Sequence, residues 1–512
     1  MRQAVVIGSG HNGLVAAAYL ARAGWAVTVL ERRDVVGGAT VTEELAPGFR
    51  VSTASYSLSL LRPRIHAELD LATHGLVIQP KDPQLFAPLP GGRHLLVWRD
   101  PARTRSEIER IAPGDADGYA RYGAFLDAAV RLIRPAFEAP EPPALADLER
   151  QLPEEVFRHA IVGSASETVS RFFASDELRG IFGSQGIIGA SVPPSAPGTA
   201  WVLTYHALGG ELCGATGTWA YVRGGMGGVS RALAAAAAEA GAAIRTSAPV
   251  ARVVQERDRV RGVVLEDGTE IGADAVLSCA DPVRTGGLME AVPERYAQRL
   301  SAWRTASPVV KVNLALRELP SFVSSPGTEP APQHAGTIEV SPSLGYLEEA
   351  YAEAAGGAVS RRPWMEVFIQ SVTDPTLAPG GGHVLSAFAQ YAPSGLSDAL
   401  GRISDADRAG WERLRAAAGD AVVETLAEHA PNLPDAIVAR QVLGPPDLED
   451  RFGLTGGNIF HGEMTPEQCF DGRFTARTGV RGLYLCGSGA HPGGAVTGAP
   501  GRNAAHCAMS DA

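Results

Sequence analysis

Three glycines at fixed spacing and one carboxylate carry the clearest chemical signature in this chain. Gly8-x-Gly10-x-x-Gly13 follows the apolar run AVVI at 4–7, and helical apolar spacing begins at once behind it, over 14–23. Gly8 makes a tight turn, Gly10 lets the backbone approach a pyrophosphate, and Gly13 lets helix and strand pack closely. The start of the helix then offers N–H groups and partial positive charge to phosphates. Glu31 closes a second strand-like run at 26–30, where a carboxylate accepts hydrogen bonds from ribose hydroxyls. GxGxxG alone is weak; strand, helix, strand and acid in register make a dinucleotide site.

Side chains suited to proton chemistry are few. Lys311 lies between apolar residues in VVKVNLAL (309–316), and Asn313 shares its face by the period of two. By pattern alone, such a lysine equally reaches outward from an edge strand. Lys81, the only other lysine, sits in a Pro/Asp-flanked loop and is expected to stand apart from the chemistry. His206 follows a helical run at 200–205 and reads as a core or cavity-wall histidine. His461, in FHGEM, is expected to hold local structure with Glu463. His491, in AHPGG, either faces the reacting end of a cofactor or fixes the glycine turn. With no HExxH, GxSxG or metal-spaced His/Cys group, no metal is predicted.

Elements must position these groups, and the two chain ends supply them. The C-terminal stretch LYLCGSGAHPGGAVTGAPG (483–501) reads as a buried strand followed by a glycine loop, and helical spacing resumes over 499–509. Strand, glycine loop and helix form a ligand-binding arrangement rather than a trailing tail. At the N-terminal end a second glycine pair, Gly37-Gly38, follows Glu31 within ERRDVVGGATVTEELAPGF. NAD does not need it; it suits a flavin dinucleotide that runs onward across the sheet.

ERRDVVGGATVTEELAPGF, SYSLSLLRPRI, YVRGGMGGVSRAL, FGLTGGNIFHGEM and LYLCGSGAHPGGAVTGAPG together resemble the FAD-dependent amine oxidase and phytoene desaturase superfamily. The resemblance is to the phytoene desaturase-like branch that includes pyridine nucleotide-disulfide oxidoreductase domain-containing protein 2, and it runs from the first to the last residues. Where the superfamily motif continues from Gly-Gly to Arg, this chain has Ala39. The resemblance implies an α/β fold: a Rossmann-like, GR2-type FAD-binding domain interleaved with an α+β substrate domain built on a mixed sheet. It places 1–62, 216–282 and 446–512 in the first domain and 63–215 and 283–445 in the second. It also implies noncovalent FAD held by Gly8, Gly10, Gly13, Glu31, Arg32, Gly38, Ala39, Thr40, Val250, Gly487, Ser488 and Val496. The C-terminal helix would then point its N-terminus at the flavin edge where negative charge collects on reduction. Lys311 matches a lysine whose ammonium reaches flavin N5 through water in amine oxidases of the superfamily. With His491, it is the catalytic candidate.

The activity implied is hydride removal from a C–H or N–H bond of an apolar or amphipathic small molecule, with electrons passed to oxygen or a quinone. Two alternatives stand beside it. One is a carotenoid desaturase or ketolase; the other is a lipid-binding chaperone of the GDP-dissociation-inhibitor type without FAD, which intact flavin motifs oppose.

Composition narrows the field. The chain has 512 residues, 45% of them hydrophobic, enough for large cores. A net charge of −11 argues against a nucleic-acid surface. Five cysteines without CxxC spacing fit reduced thiols. No run approaches the roughly 20 apolar residues of a membrane helix, and with a strand expected from about residue 2 no leader is expected. A cytoplasmic protein is expected, with room for peripheral membrane contact or self-association. Between the ends, 63–215 reads as mainly helical with a Pro-rich break at 135–143. Strands are expected at 244–247, 250–256, 261–265, 275–279, 309–316, 364–371, 384–392 and 436–443, with a hairpin turn at Asp267-Gly268. Helices fit 229–241, 293–303 and 404–429. GGMGG (224–228) lacks a preceding buried strand and the right third glycine, so no second dinucleotide site is expected there.

Overall fold

The structure, a computed structural model, describes residues 1–393, 395–396 and 402–512. Two sheets organise it. The first has five parallel strands in the order Leu483–Leu485, Ala275–Ser278, Gln3–Ile7, Ala26–Leu30 and Ala243–Arg245. Its central strand shows why the sequence reads as an unbroken apolar run. Ala4 and Val6 pack on the helices His11–Arg22, Gly227–Glu239 and Ala499–Ser510. Val5 and Ile7 pack on the opposite face with Val253 and Val263. Those two valines belong to an antiparallel meander of Val250–Glu256, Arg259–Leu265 and Glu270–Gly272. Both faces are covered, so neither can be polar. All five strands fall within 1–62, 216–282 and 446–512.

The second sheet has seven strands, in the order Ile437–Leu443, Val309–Leu316, His383–Gln390, Trp364–Phe368, Thr337–Val340, Leu85–Leu89 and Arg93–Val97. Every pairing is antiparallel except Thr337–Val340 with Leu85–Leu89. The sheet is therefore mixed, and its strands come from 63–215 and 283–445. Val309–Leu316 is an interior strand with neighbours on both sides, which removes the edge-strand reading of Lys311.

Two expectations need correction and one needs an addition. The segment 63–215 is mainly helical, as expected, but Leu85–Leu89 and Arg93–Val97 form a hairpin turned by Gly91 and Gly92, both at positive φ, and join the second sheet. The helix Ala116–Glu138 runs through Pro135. Only its last turn follows the proline, so a single lost backbone bond is tolerated there. Lys81 is also not a loose loop residue. It is buried, donates from Nζ to Thr337 Oγ1 at 2.7 Å, and lies 4.8 Å from the Phe368 ring centroid. Other boundaries shift by a few residues, as element ends do.

Candidate functional site

A cavity of about 600 Å³ runs between the two sheets. Its wall on the first sheet is the N-terminal motif. Gly8 holds φ +89°, and a Cβ at Gly13 would sit 2.2 Å from Gly8 O, so that helix and strand meet only because position 13 has no side chain. The helix His11–Arg22 begins at Gly10 with no side-chain cap and no acidic residue in its first turn. Its first N–H groups are therefore open to an anion. Glu31 is 5% exposed; Oε2 accepts from Ser9 N at 2.9 Å and Ser9 Oγ at 2.8 Å, and Oε1 from Arg33 N at 2.9 Å. These bonds fix the carboxylate at the strand end while leaving lone-pair capacity towards the cavity. Gly8, Gly10, Glu31, Arg32, Gly38, Ala39, Thr40, Val250, Ser488 and Val496 all line this one cavity.

Gly13 and Gly487 are not on the wall; they are places where backbones touch. A Cβ at Gly487 would meet Cys279 O at 2.5 Å. Thr40 is anchored to Gly37 O and Ser230 Oγ, at 2.7 and 2.6 Å. Arg32 extends from its strand to the carbonyls of Asp450 and Arg451. GGMGG does not line the cavity; Gly227 N donates to Thr42 Oγ1 at 2.9 Å, which seats the loop against the Thr42–Ala46 strand.

The C-terminal loop is brought to this wall by a buried cation that the sequence reading missed. Arg473 is 0% exposed, and its guanidinium donates to the carbonyls of Phe460, Glu463 and Ser488 at 2.7, 3.1 and 2.6 Å. One planar fork thus ties the FHGEM segment to the glycine loop. Asn12 Nδ2 donates to Ser488 Oγ at 3.2 Å and closes the ring between the two chain ends. Ala495 and Val496 line the cavity, and the last helix starts at Ala499, capped by Gly498 at φ +75°.

The wall on the second sheet carries Lys311. The side chain is 1% exposed; Nζ donates to Asn313 Oδ1 at 2.9 Å and lies 5.3 Å from the Tyr56 ring centroid. Burial drives its pKa well below the ordinary lysine value, and no carboxylate lies among its bonded partners. Burial thus disfavours the ammonium form and favours the neutral amine. Asn313 is held from elsewhere: Ser386 Oγ donates to its Oδ1 at 2.6 Å, and its Nδ2 donates to Thr53 O and Gln441 Oε1. Phe388, cross-strand partner of Lys311, lines the cavity with Tyr56, Ile188 and Trp219.

Of the histidines, His206 sits where the sequence places it, His491 takes the turn-fixing one of its two readings, and His461 departs from its expectation. His491 is not on the cavity wall; its Nε2 lies 3.1 Å from Ala139 O, which fixes the glycine loop to the end of the Ala116–Glu138 helix. His206 is a wall residue whose Nδ1 donates to Val202 O at 2.9 Å, with its pKa pushed down to about 4 by burial. His461 lines the cavity instead of bonding Glu463, whose carboxylate pairs with Arg304 at 2.6 Å. His11, unremarked as a filler position in the glycine motif, lines it too. Burial pushes their pKa values down to about 3 for His11 and about 4 for His461. His11 Nε2, His461 Nδ1 and Asn12 Oδ1 are buried without a protein partner among the described residues. Orphaned polar atoms around an uncapped helix start mark a site shaped for a polar ligand. They fit a flavin dinucleotide.

The chain matches the family of flavin containing amine oxidoreductases over residues 13–507. It belongs to that family. It is 40% identical to the rat (Rattus norvegicus) pyridine nucleotide-disulfide oxidoreductase domain-containing protein 2, over 99% of this chain and 93% of that protein. Phytoene dehydrogenase of Streptomyces griseus is 28% identical over 96% of this chain and 91% of its own length. A redesigned putrescine oxidase shares the fold at 18% identity with a TM-score of 0.63, covering 100% of this chain and 99% of that one. The protein is an FAD-dependent oxidoreductase. Among the described residues no helix is long and apolar enough to cross a membrane, and no group of His, Cys, Asp or Glu is arranged to hold a metal.

Proposed function

We propose that this oxidoreductase binds FAD noncovalently and removes a hydride from a C–H or N–H bond of an apolar or amphipathic small molecule, with electrons leaving to oxygen or a quinone. One observation carries the reading: a single cavity joins the Glu31 wall of one sheet to the buried Lys311 of the other. Glu31 would hold the ribose hydroxyls, the N–H groups at His11–Gly13 the pyrophosphate, and Ala39, Thr40, Ala495 and Val496 the ring system. Bound there, FAD supplies a two-electron acceptor. Lys311 Nζ, pinned to Asn313, directs its lone pair into the cavity and takes up a proton from water or from a substrate N–H. Phe388, Ile188 and Trp219 keep bulk water from that end. Similarity to a phytoene dehydrogenase supports a second reading, oxidation of a polyene. Anaerobic mixing with amines, polyenes and unsaturated lipids separates the two, because the reacting class bleaches the flavin. Bleaching by none of the three classes would overturn the substrate assignment.

A further inference from the structure

Beyond His206 and Trp219 lies a second chamber of about 680 Å³, and those two residues line both. Its walls are largely aromatic and apolar, with Tyr119, Tyr122, Phe182 and Leu203 on helices and Phe368 on the second sheet. Its mouth is edged by exposed Arg99, Asp127 and Thr216. At its buried end stands a carboxylate, Glu366, in a wall that is mostly apolar. Glu366 accepts from Gln185 Nε2 at 2.9 Å and from Tyr56 Oη at a long 3.3 Å. A carboxylate has about four acceptor positions, so capacity remains.

The charge around Glu366 decides what it can receive. Glu339 is its direct cross-strand partner, also buried, and two adjacent buried carboxylates cannot both ionise. Glu339 Oε1 accepts from Trp364 Nε1 at 2.6 Å, and its Oε2 has no hydrogen-bond partner among the described residues. Its pKa is raised well above the ordinary glutamate value, by burial and then by Glu366, which favours its protonated form. Burial raises the pKa of Glu366 too, but its two donors and the attraction of Lys81 oppose the rise, so of the two carboxylates Glu366 is the readier to ionise. With Glu339 opposite and Lys81 beside it, Glu366 keeps spare acceptor capacity in a cluster biased against the excess negative charge that would attract a cation.

We infer that the second chamber is the substrate's compartment and that it takes an uncharged amphipathic molecule, a ring or chain bearing a hydroxyl that donates to Glu366. The inference rests on the oxidoreductase reading for its purpose, since the shared wall at His206 and Trp219 puts the occupant beside the Lys311 cavity. The compartment itself is testable without turnover. Trp98 and Trp219 line it, so occupancy reads out as tryptophan fluorescence.

The test titrates purified full-length protein with phenethyl alcohol, phenethylamine and ethylbenzene, with flavin content measured in parallel. A Cβ at Gly123 meets nothing within 4 Å, and the residue is an exposed helical position on the chamber wall. Gly123→Phe therefore fills the mouth without strain. The wild type should bind the alcohol about tenfold more tightly than the hydrocarbon and no more weakly than the amine. Glu366→Gln, which trades acceptor capacity for a donor, should shrink the alcohol's advantage to within about threefold. Gly123→Phe should weaken all three ligands about tenfold or more. Equal binding by Gly123→Phe and wild type would place the ligand elsewhere and overturn the inference. So would an undiminished alcohol preference in Glu366→Gln, or tighter binding of the amine. Colourless protein with chamber-dependent alcohol binding would sink the flavin reading and leave the compartment standing.

Discussion

Lys311→Met removes the titratable nitrogen that the strand Val309–Leu316 presents to the cavity and keeps the length and apolar bulk of the side chain. The structure fixes what else should change. Asn313 Oδ1 loses one donor but keeps Ser386 Oγ at 2.6 Å, while Nδ2 keeps both its acceptors. The lost hydrogen bond is worth about 1 kcal/mol, and relief from burying an amine offsets much of it. Stability should therefore move by no more than about 1 kcal/mol and flavin content not at all. Function should change far more. Reoxidation of reduced flavin by oxygen, or reduction by substrate, should slow about tenfold or more, equivalent to about 1.4 kcal/mol. Stopped-flow absorbance reads either half-reaction. The wild-type rate should also fall as pH drops through the lowered Lys311 pKa and the amine becomes charged, a limb absent from the variant. Parental rates in both half-reactions, with FAD retained, would refute the reasoning. Lys81→Met is no control, because Lys81 is buried beside Glu366 and its loss leaves that carboxylate uncompensated.

Glu31→Ala should weaken FAD retention by about 1.5–3 kcal/mol, the worth of a charged hydrogen bond, and should also lower the melting temperature because Ser9 and Arg33 lose their acceptor; equilibrium dialysis against FAD checks the first and thermal unfolding the second. Gly13→Ala should fail to fold or lose flavin altogether, since its Cβ would lie 2.2 Å from a carbonyl oxygen; a soluble yellow protein would contradict the close helix–strand packing. His11, His206, His461 and His491 are held neutral with pKa values pushed down to about 3–4, below the 6.5 of a free histidine. Between about pH 6.5 and 4 the unfolded chain then binds more protons, so stability is lost as pH falls, by up to about 1.4 kcal/mol per pH unit for each histidine. A melting temperature flat across that window would count against burial of these rings.

The parts of the fold legible in the sequence are those whose signal is local. Val309–Leu316 and Val250–Glu256 lie where the apolar, β-branched runs put them, and the glycine motif with Glu31 delivered one wall of the site. The hairpin at Leu85–Val97 was lost in a segment that otherwise reads helical, although Gly91-Gly92 between two apolar runs was a usable signal. Lys81 misled because its loop-like neighbours Pro80, Asp82 and Pro83 say nothing of Phe368 and Tyr221, which bury it from far along the chain. Tyr56, Glu366 and Gln185 come from three separated segments, and no spacing rule joins them. Arg473 was hidden for a different reason: it neutralises no acid but holds three backbone carbonyls, which carry no sequence identity. His11 was visible, but the motif assigns meaning to its glycines and treats the residues between them as filler.

The most direct test of the account is the chromophore itself. Protein purified without added cofactor should be yellow, and acid precipitation should leave a colourless pellet and release FAD, identified chromatographically, in an amount matching the chain. A colourless protein that takes up no FAD on dialysis would contradict the reading of the Glu31 cavity, and yellow colour staying with the pellet would contradict noncovalent binding.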